Sequence, residues 1–200
     1  MKSILLLSGG LDSTVLLADR FERGDYITCI SFDYGQTHRK ELQAAKQIAK
    51  YYRVRHRIVG LGSVTIPSAL TGSTEIPDGH ADSPDATTVP ARNMIFVSIA
   101  AAIAESEKAD SIFIGANADD HNGYLDCRPM FLNAMAAAVK LGTSREIRLM
   151  YPFLNKSKRE IVDRGHHLLA PLWMSWSCYR GGEEPCGTCG ACESRKDAGA

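Results

Sequence analysis

The 200-residue sequence has no charge of one sign to spare: 23 Lys and Arg are matched by 23 Asp and Glu, a formal net charge of zero. A chain that grips nucleic acid or an anionic membrane non-specifically carries a basic surplus, so the balance argues against both and for a small or localised partner. No apolar run approaches the roughly 18 residues of a membrane span. After Lys2 only four apolar residues, 4–7, precede Ser8, too few for the core of a signal peptide. Internal repeats and low-complexity tracts are also missing. These absences give the expectation of a soluble cytoplasmic protein with no membrane and no nucleic-acid partner. The 44% hydrophobic content suits one full-sized core with a small appendage.

What is present alternates. Apolar runs at 4–7, 26–32, 57–61, 111–115 and 147–151 read as strands. Helical patterns fall at 11–22, 38–52, 93–107, 129–141 and 156–164. Such alternation predicts a parallel five-stranded sheet covered on both faces, with ligands at the carboxyl ends of its strands. Residues 62–90 hold four of the eight prolines and read as a surface excursion or lid. The expected organisation is a main domain over 1–175 and a small segment over 176–200.

The stretch LLLSGGLDST wraps from the first strand into the first helix without either usual phosphate fingerprint. It lacks the Walker lysine and lacks G-x-G-x-x-G. Leu7, Ser8, Gly9, Gly10, Leu11, Asp12, Ser13 and Thr14 would offer backbone amides, hydroxyls and a helix N-terminus to an anion. Asp12 would repel phosphate unless a divalent cation lay between them, which suits a triphosphate carried as its Mg²⁺ complex. A plain turn capped by Asp12 or Ser13 is the bland alternative.

Further polar residues fall at strand ends. Tyr34, Gln36 and His38 follow the second strand, though a capped helix start with a solvated His38 is equally readable. Arg92 and Asn93 open an apolar helix, where Arg92 suits a bidentate anion contact or a surface ion pair. Asp119, Asp120, His121, Tyr124, Asp126 and Arg128 crowd the exit of the fourth strand, as a site or as a solvated loop. Adjacent residues rarely face one metal, so Asp119 to His121 make a poor metal motif. At the C-terminal end, Cys178, Cys186, Cys189 and Cys192 form a C-x7-C-x2-C-x2-C array. Four thiolates satisfy tetrahedral zinc in a closed, structural site, and an iron–sulfur cluster takes the same ligands. Mixed charges around them argue against a nucleic-acid-binding ribbon.

SGGLDS resembles the S-G-G-x-D-S signature of the PP-loop ATP pyrophosphatases, which cleave ATP between its α and β phosphates and adenylate an oxygen. Taken with FDYGQTH, VPARN, GYLDCR and SCY…CGTCGAC, nearly the whole chain is similar to the QueC family of 7-cyano-7-deazaguanine synthases. The family usually has proline where Leu125 stands. The resemblance implies an adenine nucleotide alpha hydrolase-like, Rossmann-like fold with a C-terminal four-cysteine zinc segment, and most often a homodimer. It implies that 7-carboxy-7-deazaguanine, ammonia and ATP yield a nitrile, with AMP and pyrophosphate released. Each oxygen of a carboxylate is too poor a leaving group, so two successive adenylations are expected. On the substrate side the resemblance points to Arg92, Tyr124, Asp126 and Arg128, with an acid for the guanine-like edge. Lys158 could neutralise the α-phosphate, or be a plain helix-surface lysine. A relative that stops at the amide, or joins the deazaguanine to another amine such as a protein, is the other enzymatic reading.

Overall fold

The computed structural model describes residues 1–62, 67–72, 74–79 and 86–200, so part of the proline-rich excursion, Pro84 included, lies outside the described residues. Five parallel strands, β1 (Lys2–Leu6), β2 (Tyr26–Asp33), β3 (Arg55–Gly60), β4 (Ser111–Phe113) and β5 (Arg148–Met150), pair in the order β3-β2-β1-β4-β5. Ile4 pairs with Thr28 on one side and Ile112 on the other. Successive side chains of β1 point to opposite faces, and both faces are buried, which is why the run is apolar throughout.

Helices cover each face. Leu5, Cys29 and Phe113 pack under α1 (Leu11–Glu22), α2 (Lys40–Tyr51) and α5 (Lys158–His167). Ile4, Leu6, Ile30 and Ile112 pack under α3 (Arg92–Ser106) and α4 (Pro129–Gly142). Val97, Ala100 and Ala104 give α3 a small-residue face, letting its backbone approach the sheet closely. At the exposed edge, Arg55 and Arg57 of β3 pair with Glu107, charges that discourage strand addition.

The expected strands and helices are all present, with ends shifted by up to about three residues. Strands β4 and β5 have three residues each, because the chain beyond them turns into the site. Helix α5 starts at Lys158, two residues later than expected, because Ser157 and Glu160 form a reciprocal capping box. A sixth helix, α6 (Gly190–Asp197), was not anticipated and carries Cys192. Among the described residues no helix is long and apolar enough to cross a membrane.

Strand order has a functional consequence. The chain leaves β1 toward β2 and β3, then returns to place β4 and β5 on the other side. The crevice between the carboxyl ends of β1 and β4 is therefore a topological switch point, where open α/β sheets hold ligands.

Candidate active site

A cavity of roughly 730 Å³ opens at that crevice. Its floor is the turn between β1 and α1. Gly10 caps α1 in an extended conformation with no side-chain cap, so the first N–H groups of the helix lack intrahelical partners and offer their positive end to an anion. The Ser13 and Thr14 hydroxyls donate back to the Gly10 carbonyl at 3.1 and 2.8 Å, and Ser8 Oγ accepts from the Gly10 N–H. Leu7, Ser8, Gly10, Leu11, Asp12 and Ser13 line the cavity; Gly9 and the fully buried Thr14 do not.

Gly9 serves packing. Its φ is +89°, and a Cβ there would stand 2.0 Å from the Glu41 carbonyl oxygen of α2. Gly9→Ala therefore combines a left-handed penalty of about 1–2 kcal/mol with a backbone collision. We expect a loss of at least about 3 kcal/mol in urea unfolding, since such collisions force backbone shifts; a change below about 1 kcal/mol would contradict the placement of the loop against α2.

Acidic residues and one lysine form the next wall. Lys158, held at the first position of α5 by its capping box, places Nζ 3.8 Å from Asp12 Oδ2. Its backbone N–H donates to Asp119 at 2.8 Å, while Asn117 Nδ2 donates to Asp120 at 2.9 Å. Burial pushes the Asp12 carboxyl up to about 6, against the pull of Lys158 and helped by Asp120 and Asp119. Burial opposes the Lys158 charge too, yet Asp12, Asp120 and Asp119 hold its pKa above the ordinary lysine value. Asp12 Oδ1 is buried without a hydrogen-bond partner, an orphaned acceptor that fits a divalent cation brought in with phosphate.

Across the cavity stands an aromatic and cationic corner. Ala91 takes φ +55° just before α3, a costly conformation for a side-chain-bearing residue, and so turns the chain to start the helix at Arg92. Burial opposes the guanidinium charge, but Tyr34, Glu41 and Asp126 keep Arg92 above its ordinary value. Phe96 stacks on Phe32 at 4.0 Å and tilts against Tyr34 at 5.7 Å. Tyr124 bonds Tyr179 and Thr87 through its hydroxyl at 3.4 and 3.3 Å.

The expected residues thus divide. Tyr34, Arg92, Asn93, Asp119, Tyr124 and Lys158 join the loop around the cavity. Gln36 lies behind it, bonded to Phe32 O, Tyr34 N and Glu41. His38 packs on Gly181 with Nδ1 buried and unbonded. Asp126 accepts from the Asn93 N–H at 2.9 Å, tying its turn to the start of α3, and Arg128 donates outward to the His121 carbonyl. Leu125 is 69% exposed, so the departure from the family's proline falls outside the cavity. Glu41, Phe96, Tyr179 and Arg195 line the cavity without having been singled out. Of these, only Tyr179 stood in a quoted motif, SCY, that could have signalled it.

The four cysteines converge. The Sγ atoms of Cys178, Cys186, Cys189 and Cys192 all lie within 4.8 Å of one another, and all four thiols are free. The Cys186–Cys192 separation is 3.9 Å, near the roughly 3.8 Å edge of a tetrahedron with metal–sulfur bonds of about 2.3 Å. Burial pushes the Cys192 thiol up to about 12, a shift that a bound cation would oppose. This segment also walls the cavity. The Trp176 N–H donates to the Gly9 carbonyl at 2.9 Å, and Arg195 clamps the Leu172 and Ser175 carbonyls.

A switch-point cavity, a lysine-free glycine turn running into a helix, and an acid–lysine pair beside it make up a site on an α/β fold of the PP-loop type. Solved structures agree on the fold. The U34-tRNA thiolase NcsA from Methanococcus maripaludis with its 4Fe-4S cluster superposes with a TM-score of 0.57 at 19% identity, over 86% of this chain and 58% of that one. The NH3-dependent NAD synthetase from Campylobacter jejuni gives 0.51 at 17% identity, over 86% and 66%. The family model described as Queuosine biosynthesis protein QueC matches residues 2–199, and the chain belongs to that family. It is 44% identical to the 7-cyano-7-deazaguanine synthase of Desulfotalea psychrophila, over 98% of this chain and 92% of that protein. Identity to the synthase of Thermoplasma acidophilum is 46%, over 96% and 84%.

Proposed function

We propose that this enzyme converts 7-carboxy-7-deazaguanine and ammonia to 7-cyano-7-deazaguanine, using ATP to adenylate first the carboxylate and then the amide. One observation carries the reading: a single cavity joins the free N–H groups of α1 and the Asp12–Lys158 pair to Arg92 and an aromatic corner. Relatives named for that product span nearly the whole chain.

The roles follow from charge. The α1 N-terminus and loop hydroxyls suit pyrophosphate as leaving group, and Asp12 would hold Mg²⁺, which screens the phosphates when bound. Lys158 is placed to stabilise charge developing on the α-phosphate. Arg92 suits the substrate carboxylate, being a fixed cation with planar donors. One site can serve both steps if carboxylate and amide are held alike: the first exchanges an oxygen for the nitrogen of ammonia, and the second removes the remaining oxygen as the adenylated leaving group. Zinc in the four-cysteine cluster completes the reading as a structural ion. A mononuclear ion fits sulfurs this close, whereas a cubane cluster gives each cysteine its own iron and spreads them. A cytoplasmic homodimer drawing free ammonia belongs to the same proposal.

Mass spectrometry of a reaction with 7-carboxy-7-deazaguanine, labelled ammonia and labelled ATP tests it. The expected products are the nitrile and two AMP per nitrile, with pyrophosphate. Persistent amide would favour the relative that stops early. ADP as the sole nucleotide product would overturn the adenylation chemistry.

A further inference from the structure

The acid expected to read the guanine-like edge of the substrate, Asp126, is engaged elsewhere, with its carboxylate on the Asn93 N–H and outside the cavity wall. Among the described residues four other carboxylates line the cavity: Asp12, Glu41, Asp119 and Asp120. Three of them belong to one electrostatic group around Lys158. Glu41 stands apart from that group.

Glu41 sits in the first turn of α2, and its Oε1 accepts from Gln36 Nε2 at 2.9 Å. Gln36 is itself fixed from behind, donating to Phe32 O at 3.2 Å and accepting from Tyr34 N at 2.9 Å. The carboxylate is thus oriented on the side away from the cavity and has acceptor capacity left on the side toward it. Burial raises its pKa, with Arg92 and Gln36 opposing, which is the signature of a buried acid short of donors. In the same cavity Phe32, Phe96 and Tyr34 form an aromatic cluster that offers flat apolar surface for a planar ring.

We propose that Glu41 is the specificity residue for the substrate heterocycle, its carboxylate accepting hydrogen bonds from the ring N1–H and the 2-amino group. The assignment rests on the function proposed above. Two adjacent N–H donors match the two oxygens of a carboxylate in a charge-assisted, bidentate pair. An adenine edge presents an acceptor at N1 beside its amino group and opposes an ionised carboxylate, so Glu41 also keeps the base of ATP out of this corner. A buried acid left without its donors is costly, and that cost makes such a site selective.

The experiment compares kcat/KM for 7-carboxy-7-deazaguanine and for its analogue without the 2-amino group, in wild type and in Glu41→Gln. The amide preserves size and the bond from Gln36, but it presents an N–H where an acceptor is needed. Wild type should prefer the amino compound by roughly a hundredfold. In Glu41→Gln that preference should fall below about fivefold, with KM for ATP within about threefold of wild type. The ratio is internal to one preparation, so partial unfolding of the variant cancels from it. An unchanged preference, or a loss seen in KM for ATP instead, overturns the assignment while the functional reading stands. Failure of the wild type to turn over either compound overturns that reading and this inference with it.

Discussion

Cys189→Ser is expected to empty the metal centre, lower the melting temperature by about 10 °C and weaken ATP binding at least about tenfold. Cys189 is fully buried, and with Cys178 and Cys192 it forms a small core of its own. Without an ion, the turns between residues 178 and 192 would lose their common centre. The consequence reaches the phosphate loop. Trp176 holds the Gly9 carbonyl, Arg180 pairs with Asp78 of the excursion at 2.8 Å, and Gly79 N donates to Thr188 O at 2.7 Å. Arg195 locks the same segment to Leu172 and Ser175. A lost ion thus loosens one cavity wall and the brace behind Gly9 together. Metal content by elemental analysis, thermal melting and ATP titration check the chain of effects. A metal-free variant that melts and binds ATP like wild type would show that the cluster is independent of the cavity.

The architecture was legible because parallel strands buried on both faces leave unbroken apolar runs, and amphipathic or wholly apolar helices fall between them. The loop was legible because SGGLDS compresses a strand end, two glycines and a helix start into six residues. Strand order was not, since pairing β4 beside β1 is set by packing across the whole sheet and leaves no local pattern. The site residues divide for a similar reason. Motifs show which residues crowd a strand end, but not which way each side chain turns. Asp126 and Gln36 sit among such residues and point into supporting bonds. Glu41, in the run RKE, looks like part of a solvated helix face, yet the approach of Gly9 to α2 leaves it half-buried against the loop. Helix α6 was hidden because GACESRKD has too few apolar residues to show a period, and the helix is held by Cys192 and Ala198 instead.

Asp12→Asn should cost at least roughly a thousandfold in kcat/KM for ATP, consistent with removing a charge aimed at the transition state, and should make the protein more stable at neutral pH. The sign of the second effect follows from the raised carboxyl. In the unfolded chain Asp12 titrates near 3.8, in the fold near 6. Its protonated form therefore favours the fold, a contribution fully present below pH 3.8 and lost as pH rises through 6. Asparagine never ionises, so the variant escapes that loss. The gain at pH 7.5 is at most about 3 kcal/mol, from a shift of roughly two units at 1.36 kcal/mol each. That shift already includes the attraction of Lys158, 3.8 Å away. At pH 3.5 the two proteins should be equally stable. Activity runs the other way: wild-type kcat/KM should climb with pH through about 6, as the carboxylate forms, and the variant's residual rate should not. Urea unfolding at both pH values and a pH–rate profile measure the two halves separately. If Asp12→Asn is instead less stable at pH 7.5, the side chain holds the loop in place, and its charge is not the strained element of the site. If turnover survives within tenfold, the carboxylate has no part in adenylation, and Lys158 with the α1 N-terminus must suffice.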